Sequence, residues 1–160
     1  MKSIRIQMGI IPAVAALLLA ACGGTASNGA AASPSSPALI HTASIKVGDK
    51  TETVLKNANG LTLYYFMLDT ATKVACSGGC ASNWPPLLAT SGTPTSNPAL
   101  PGQLTVLNGA NGNQVLYNGH PLYTYSKDGV AGDANGQGVG GKWFVATPDL
   151  AAMAASTPSY

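Results

Sequence analysis

The chain repeats itself. Shifting its 160 residues by 59 positions lays Asn59-Gly60 on Asn118-Gly119, Leu63-Tyr64 on Leu122-Tyr123, Phe66 on Tyr125, Asp69 on Asp128, Gly79 on Gly138 and Trp84 on Trp143 without a gap. Two copies of one supersecondary unit follow, each too small to bury its own apolar face and so packed against the other. Within each copy the Tyr and the aromatic two residues later share one strand face, and the Leu before the Tyr lies on the opposite face. Both faces then need cover. That predicts an all-β, small antiparallel sandwich or barrel-like domain of two pseudo-equivalent repeats, with short helical or turn segments.

Local signals agree. Short β-branched and aromatic runs at Ser44 to Val47, Glu52 to Leu55, Leu61 to Phe66, Leu104 to Leu107, Val115 to Tyr117, Leu122 to Tyr125 and Trp143 to Ala146 are separated by Asn-Gly, Asp-Gly and Pro. The folded unit is expected over residues 44–149, with the first repeat at about 57–88 and the second at about 116–148, a length that supports one domain with a modest core. Residues 150–160 form an Ala-rich tail, loose or briefly helical.

The N-terminus specifies an address. Lys2 and Arg5 precede fourteen uncharged residues, Met8 to Ala21, fewer than the roughly 20 that span a bilayer but suited to a secretion signal. Leu19-Ala20-Ala21-Cys22 matches the bacterial lipobox, so residues 1–21 read as a lipoprotein signal peptide and Cys22 as the lipid attachment site. An ordinary secretory signal with a chance Cys is the plainer alternative. Two or more acyl chains hold a protein on a membrane where one does so only marginally, and Gly23 after the cysteine favours the outer membrane in a Gram-negative host. Gly, Ala, Ser, Thr, Asn and Pro dominate residues 22–43, a composition that reads as a flexible tether. Removing the signal leaves six Lys against six Asp and Glu. A neutral chain gives nucleic-acid binding no support.

These residues resemble the predicted bacterial lipoproteins built from a secreted repeat of unknown function with a Tyr-x-(Phe/Trp/Tyr)-x-x-Asp motif. The motif stands as Tyr64-Tyr65-Phe66-Met67-Leu68-Asp69 and as Tyr123-Thr124-Tyr125-Ser126-Lys127-Asp128. Cys76-Ser77-Gly78-Gly79-Cys80, Trp84-Pro85-Pro86, the run from Tyr117 to Tyr123 and the Gly-rich stretch before Trp143 also look like that family, over Asn57 to Pro148. The second copy has Asn135 and Val139 where the first has Cys76 and Cys80, so whatever the cysteines do is done once.

Cys76 and Cys80 flank three residues that permit a tight reversal, and outside the cytoplasm such a pair usually oxidises. A disulfide there stabilises by about 2 kcal/mol in the chain-entropy model. The sharper reading is a redox dithiol or Cu(I) site, with Met67 as a further soft ligand. Asp69 and Asp128 each fall just past an aromatic strand, where an Asp closes a turn by accepting backbone N–H groups; cation coordination or a glycosidase pair are the alternatives. Asp133 to Gly138 opens like a calcium loop, but Phe144 stands where the bidentate Glu belongs, which excludes an EF-hand. Tyr64, Phe66, Trp84, Tyr123, Tyr125 and Trp143 are expected in the core, or else exposed as a platform for sugars.

Only two His occur, His41 in the tether and His120 beside Pro121, which leaves a nucleophile without a placed base. The expectation is a lipid-anchored, extracytoplasmic, non-enzymatic binding or structural module without cofactor or metal. Its partners are the membrane, through the lipid, and an envelope protein or glycan. A redox or copper-handling protein using Cys76 and Cys80, and a carbohydrate-binding module, are the alternatives.

Overall fold

A computed structural model describes residues 37–154. The signal segment, Cys22 and most of the tether lie outside the described residues, as do residues 155–160. The order is β1 (Ile40–Val47), β2 (Lys50–Asn57), β3 (Tyr64–Phe66), α1 (Gly79–Asn83), β4 (Ser96–Asn97), β5 (Leu104–Gly109), β6 (Gly112–Tyr117), β7 (His120–Pro121), a 3-10 turn (Val139–Gly141) and β8 (Trp143–Val145). They form three small sheets ordered β2-β1-β4, β3-β8 and β5-β6-β7. Every pairing is antiparallel except β1 with β4. The domain is all-β, as the alternation of its apolar residues predicts.

Two boundaries differ from the sequence expectation. The folded domain begins earlier than Ser44: β1 starts at Ile40, which is fully buried, and Leu39 packs on the core. His41 is therefore a strand residue, its Nδ1 lying 3.1 Å from the Asn97 carbonyl, and not part of a tether. Flanking small residues masked the strand signal of Ile40, whose burial depends on contacts with later segments. At the other end the described part of the tail is neither helical nor loose. Asn118 Nδ2 donates to the Leu150 carbonyl, the Met153 N–H donates to the Asn118 carbonyl, and Leu150 packs on the core.

The expected strand at Leu122 to Tyr125 exists only as isolated bridges at Tyr123. The cause is its partner. Tyr64 pairs with Val145 and Phe66 with Trp143 in β3-β8; the 59-residue equivalent pairs Tyr123 with Pro86, and Pro85 and Pro86 have no N–H to give a ladder. Pairing survives through the remaining donors, Thr124 N–H to the Pro85 carbonyl and Leu87 N–H to the Leu122 carbonyl.

The two-faced strand produces a two-part core. Leu63 and Leu122 belong to an aliphatic cluster with Ile40, Leu55, Leu87, Val115, Tyr117 and Ala146. Tyr64, Tyr123 and Tyr125 point the other way, into an aromatic cluster with Val47, Val54, Cys76, Trp84, Trp143 and Val145. Each repeat contributes to both clusters, so neither repeat owns a core.

Close packing converges on Gly136. A Cβ there would meet Tyr64 Cε1 at 2.7 Å, Tyr64 Cζ at 2.8 Å and Trp84 Cη2 at 2.9 Å, all on rigid rings. Gly136→Ala should therefore lower the unfolding free energy by about 1–3 kcal/mol, as overpacking does. Gly79→Ala, whose Cβ meets nothing within 4 Å, should leave it unchanged or slightly higher; urea denaturation of the two variants checks both.

Candidate functional site

The motif residues of the two repeats meet about a local pseudo-twofold axis. Tyr64 and Tyr123 exchange backbone hydrogen bonds, 2.8 Å from Tyr64 N to Tyr123 O and 3.0 Å in return. Their side chains then cross. The Tyr64 hydroxyl donates to Asp128 Oδ2 at 2.6 Å, and the Tyr123 hydroxyl donates to Asp69 Oδ2 at 2.8 Å. Each repeat's Asp thus holds the other repeat's Tyr.

Local sequence sets each Asp in place. The Asp69 N–H bonds the Phe66 carbonyl and the Asp128 N–H the Tyr125 carbonyl, so the chain reverses just after the aromatic pair. The free carboxyl oxygen then closes the following loop: Asp69 Oδ1 accepts Ala75 N–H at 2.6 Å and Asp128 Oδ1 accepts Asn135 N–H at 3.0 Å. Turn closure by these aspartates is what an Asp at a strand end favours. Their second oxygen, given to a phenol 54 or 64 residues away, has no local cause.

Between the Tyr–Asp pairs lies an aromatic stack. Trp84 and Trp143 are parallel within 1°, with centroids 3.7 Å apart. Tyr125 stacks on Trp84 at 4.1 Å and Phe66 on Trp143 at 4.3 Å, each from the opposite repeat. Tyr64 and Tyr123 abut the Trp of their own repeat edge-on, at 5.5 and 5.2 Å. Such pairs contribute about 0.5–1.5 kcal/mol each beyond their area burial. With Trp84 and Trp143 both 5% exposed and Tyr64 and Tyr123 at 0%, the rings face one another. The platform reading fails on that burial, because no flat face is left for a sugar.

Burial also governs the electrostatics. Burial, then the Asp128 hydrogen bond, raises the Tyr64 phenol well above its usual range. Burial and Asp69 do the same to Tyr123. Burial lifts the Asp69 carboxyl above the ordinary carboxylate range, opposed by the Ala75 N–H, the Tyr123 hydroxyl and the Cys76 N–H. Neither Asp lies near a third acidic, His or Cys side chain in a metal-binding group among the described residues. The carboxyls are also too enclosed, at 4% and 5% exposed, to flank a glycan.

Cys76 and Cys80 are joined in a disulfide. It ties the loop that caps Asp69 to helix α1, and Cys76 itself is buried in the aromatic cluster. The bonded sulfurs offer no thiolate to copper, and Met67 is 58% exposed. The second repeat has no sulfur there: Asn135, at the position of Cys76, instead donates its Nδ2 to the Lys127 carbonyl and so closes the loop that follows Asp128. Asp133 spends its carboxyl on the Gly129 and Val130 N–H groups rather than on a cation. His120 sits edge-on to Tyr65 and bonds the Ala151 carbonyl, and burial lowers its proton affinity. A groove of about 660 Å³ is lined by Glu52, Thr53, Thr147, Pro148 and Asp149, away from all motif residues.

Several contributors gave no sequence signal. Gln114, 1% exposed, donates to the Leu122 carbonyl and receives from Asn111, which also donates to the Cys76 carbonyl. Gln137 Oε1 accepts the Val145 N–H, and Gly136 makes room for Tyr64. None of these residues is matched in the other repeat, and the contacts of Asn111 with Cys76 and of Gly136 with Tyr64 join positions 35 and 72 residues apart.

Tyr64→Phe strands a buried acceptor and should cost about 1–3 kcal/mol in denaturant unfolding. Combined with Asp128→Asn it should cost less than the sum of the single variants, because the two changes remove one interaction. The phenols also set an alkaline limit. A phenol whose folded pKa is raised contributes stability that is complete below the ordinary value of 10.0 and lost as pH rises past it. The unfolding midpoint should therefore fall above about pH 10, and fall less steeply in Tyr64→Phe/Tyr123→Phe.

Comparison with known proteins places both repeats. Residues 47–88 and 105–147 each match the family model described as a secreted repeat of unknown function. The two segments keep the spacing of the internal repeat and include every motif residue discussed above. No curated protein and no solved structure matches the chain. Because the matched segments make up more than half of the sequence and contain the whole Tyr–Asp and Trp arrangement, the chain belongs to this family of secreted repeats, a family of extracytoplasmic proteins.

Proposed function

We propose that the chain is an envelope lipoprotein, anchored through acyl chains on Cys22, whose folded domain is a non-enzymatic binding or structural module. One observation carries the second half of that reading. The groups best equipped for chemistry, Asp69, Asp128, Tyr64 and Tyr123, are buried and committed to one another. A catalytic carboxyl needs reach to a substrate, and these reach only across the repeat interface. What remains on the surface is loops, the outer faces of strands such as β5 and exposed apolar side chains such as Met67, Leu68 and Val130, a surface suited to an envelope protein or glycan partner rather than to turnover.

The anchor rests on Leu19-Ala20-Ala21-Cys22 at the end of an uncharged run. Acyl chains on one sulfur suffice to hold the domain at a membrane, and Gly23 directs it to the outer membrane if the host is Gram-negative. Among the described residues no helix is long and apolar enough to cross a membrane. The residues from Gly23 to Ala38 then act as a spacer between lipid and domain.

Labelled palmitate fed to cells making the native chain should enter the protein, and Cys22→Ser should abolish the label and move the protein from the membrane to the soluble fraction. A native chain that takes no label ends the anchor reading. Native mass spectrometry of the envelope-extracted protein should reveal a retained partner and no metal; a stoichiometric copper ion would revive the thiolate reading.

A further inference from the structure

Packing alone does not call for the chemistry buried at the repeat interface. Phe in place of each Tyr and an aliphatic residue in place of each Asp would fill similar space, and exchanging a buried polar pair for apolar groups is often neutral or stabilising. The Tyr–Asp pairs add something apolar groups lack: a phenolic proton with a carboxyl oxygen already at 2.6 or 2.8 Å. A phenol that loses one electron becomes a strong acid, so its oxidation is easy only where the proton has an acceptor at hand. Both phenols have one, and both abut an indole.

The rings are also connected. From Tyr64 the path runs edge-on to Trp84, then to Tyr125 stacked on that indole; from Tyr123 it runs to Trp143, which lies face to face with Trp84. Phe66 caps the Trp143 end of the stack where Tyr125 caps the Trp84 end. Phenylalanine is far harder to oxidise than tyrosine, so the column has one oxidisable end. Tyr125 is 9% exposed there, against 0% for Tyr64 and Tyr123.

We infer that the two Tyr–Asp pairs and the Trp84–Trp143 stack form a one-electron relay, which carries oxidising equivalents from an extracytoplasmic one-electron oxidant, an organic radical, to Tyr64 or Tyr123. In the step, the radical takes one electron from Trp84 through the Tyr125 ring stacked on it and is reduced, leaving an indole radical cation. Tyr64 refills Trp84. As the electron leaves Tyr64, its O–H bond breaks and the proton passes to the Asp128 carboxylate, leaving a neutral phenoxyl and a neutral carboxylic acid. Tyr123 and Asp69 do the same through Trp143 and Trp84. A hydroquinone-class reductant returns one electron to the phenoxyl, and the proton goes back from the Asp. Nothing is lost from the protein. The damage that a radical would do to a lipid is stored on a buried ring.

Flash-quench oxidation tests this on the purified full chain, with photogenerated ruthenium(III) tris-bipyridine as the oxidant and electron paramagnetic resonance as the readout. The expected product is a neutral, hydrogen-bonded tyrosyl radical. Tyr64→Phe/Tyr123→Phe should lose it and yield tryptophanyl radical instead. Tyr125→Phe, which copies the Phe66 of the other repeat and so should fold, should slow its formation. An undiminished tyrosyl signal in the double variant, as from the part-exposed Tyr65, overturns the relay, and so does an unsubstituted protein that yields tryptophanyl radical alone. Should the double variant fail to fold, high-field spectra of the unsubstituted protein decide: a phenoxyl hydrogen-bonded to water rather than to a buried carboxylic acid also overturns it.

Discussion

The exchange of phenol for carboxyl across the repeat interface is the interaction on which the rest of the structure depends. A buried carboxyl without a donor is costly, and Asp69 and Asp128 obtain their deepest donors only from the opposite repeat. Neither unit can satisfy its own motif. Association of the two halves is thus written into the polar groups as well as the apolar ones, and it fixes one arrangement: Tyr64 must face Asp128 and Tyr123 must face Asp69. Backbone pairing of Tyr64 with Tyr123 puts the strands in the only register where both bonds form.

Around that axis the core divides by chemistry. Aromatic side chains gather on the face of the motif tyrosines, and aliphatic ones gather behind Leu63 and Leu122. Stacked indoles at the centre require close, nearly parallel approach, which the short β3-β8 pair and its Pro-interrupted equivalent provide. The symmetry is then broken in small ways. A disulfide braces one capping loop where an Asn side chain braces the other, and Phe66 replaces the hydroxyl-bearing Tyr125.

The burial of the repeated motif changes how its residues are to be understood. A Tyr-x-aromatic-x-x-Asp pattern invites a search for a binding site, yet here it builds the joint between two repeats. The surface left by the buried motif side chains includes the groove lined by Glu52 and Asp149 and the exposed side chains of Met67, Leu68 and Val130.

Legible in the sequence were the repeat, the all-β class, the opposite faces of Leu63 and Tyr64, a turn role for each Asp ahead of cation or glycan chemistry, and a disulfide between Cys76 and Cys80 ahead of a redox or copper pair. All of these follow from spacing within a few residues or from comparison of one copy with the other. Illegible there were the service of each Asp to a phenol of the opposite repeat, the face-to-face packing of Trp84 and Trp143, the place of Ile40 in the domain, the proline-interrupted partner of Leu122 to Tyr125 and the need for a small residue at 136. These depend on segments brought together from as far as 37 to 72 residues apart. Local pattern records what a residue prefers; which remote group satisfies it is settled when the two repeats close on each other.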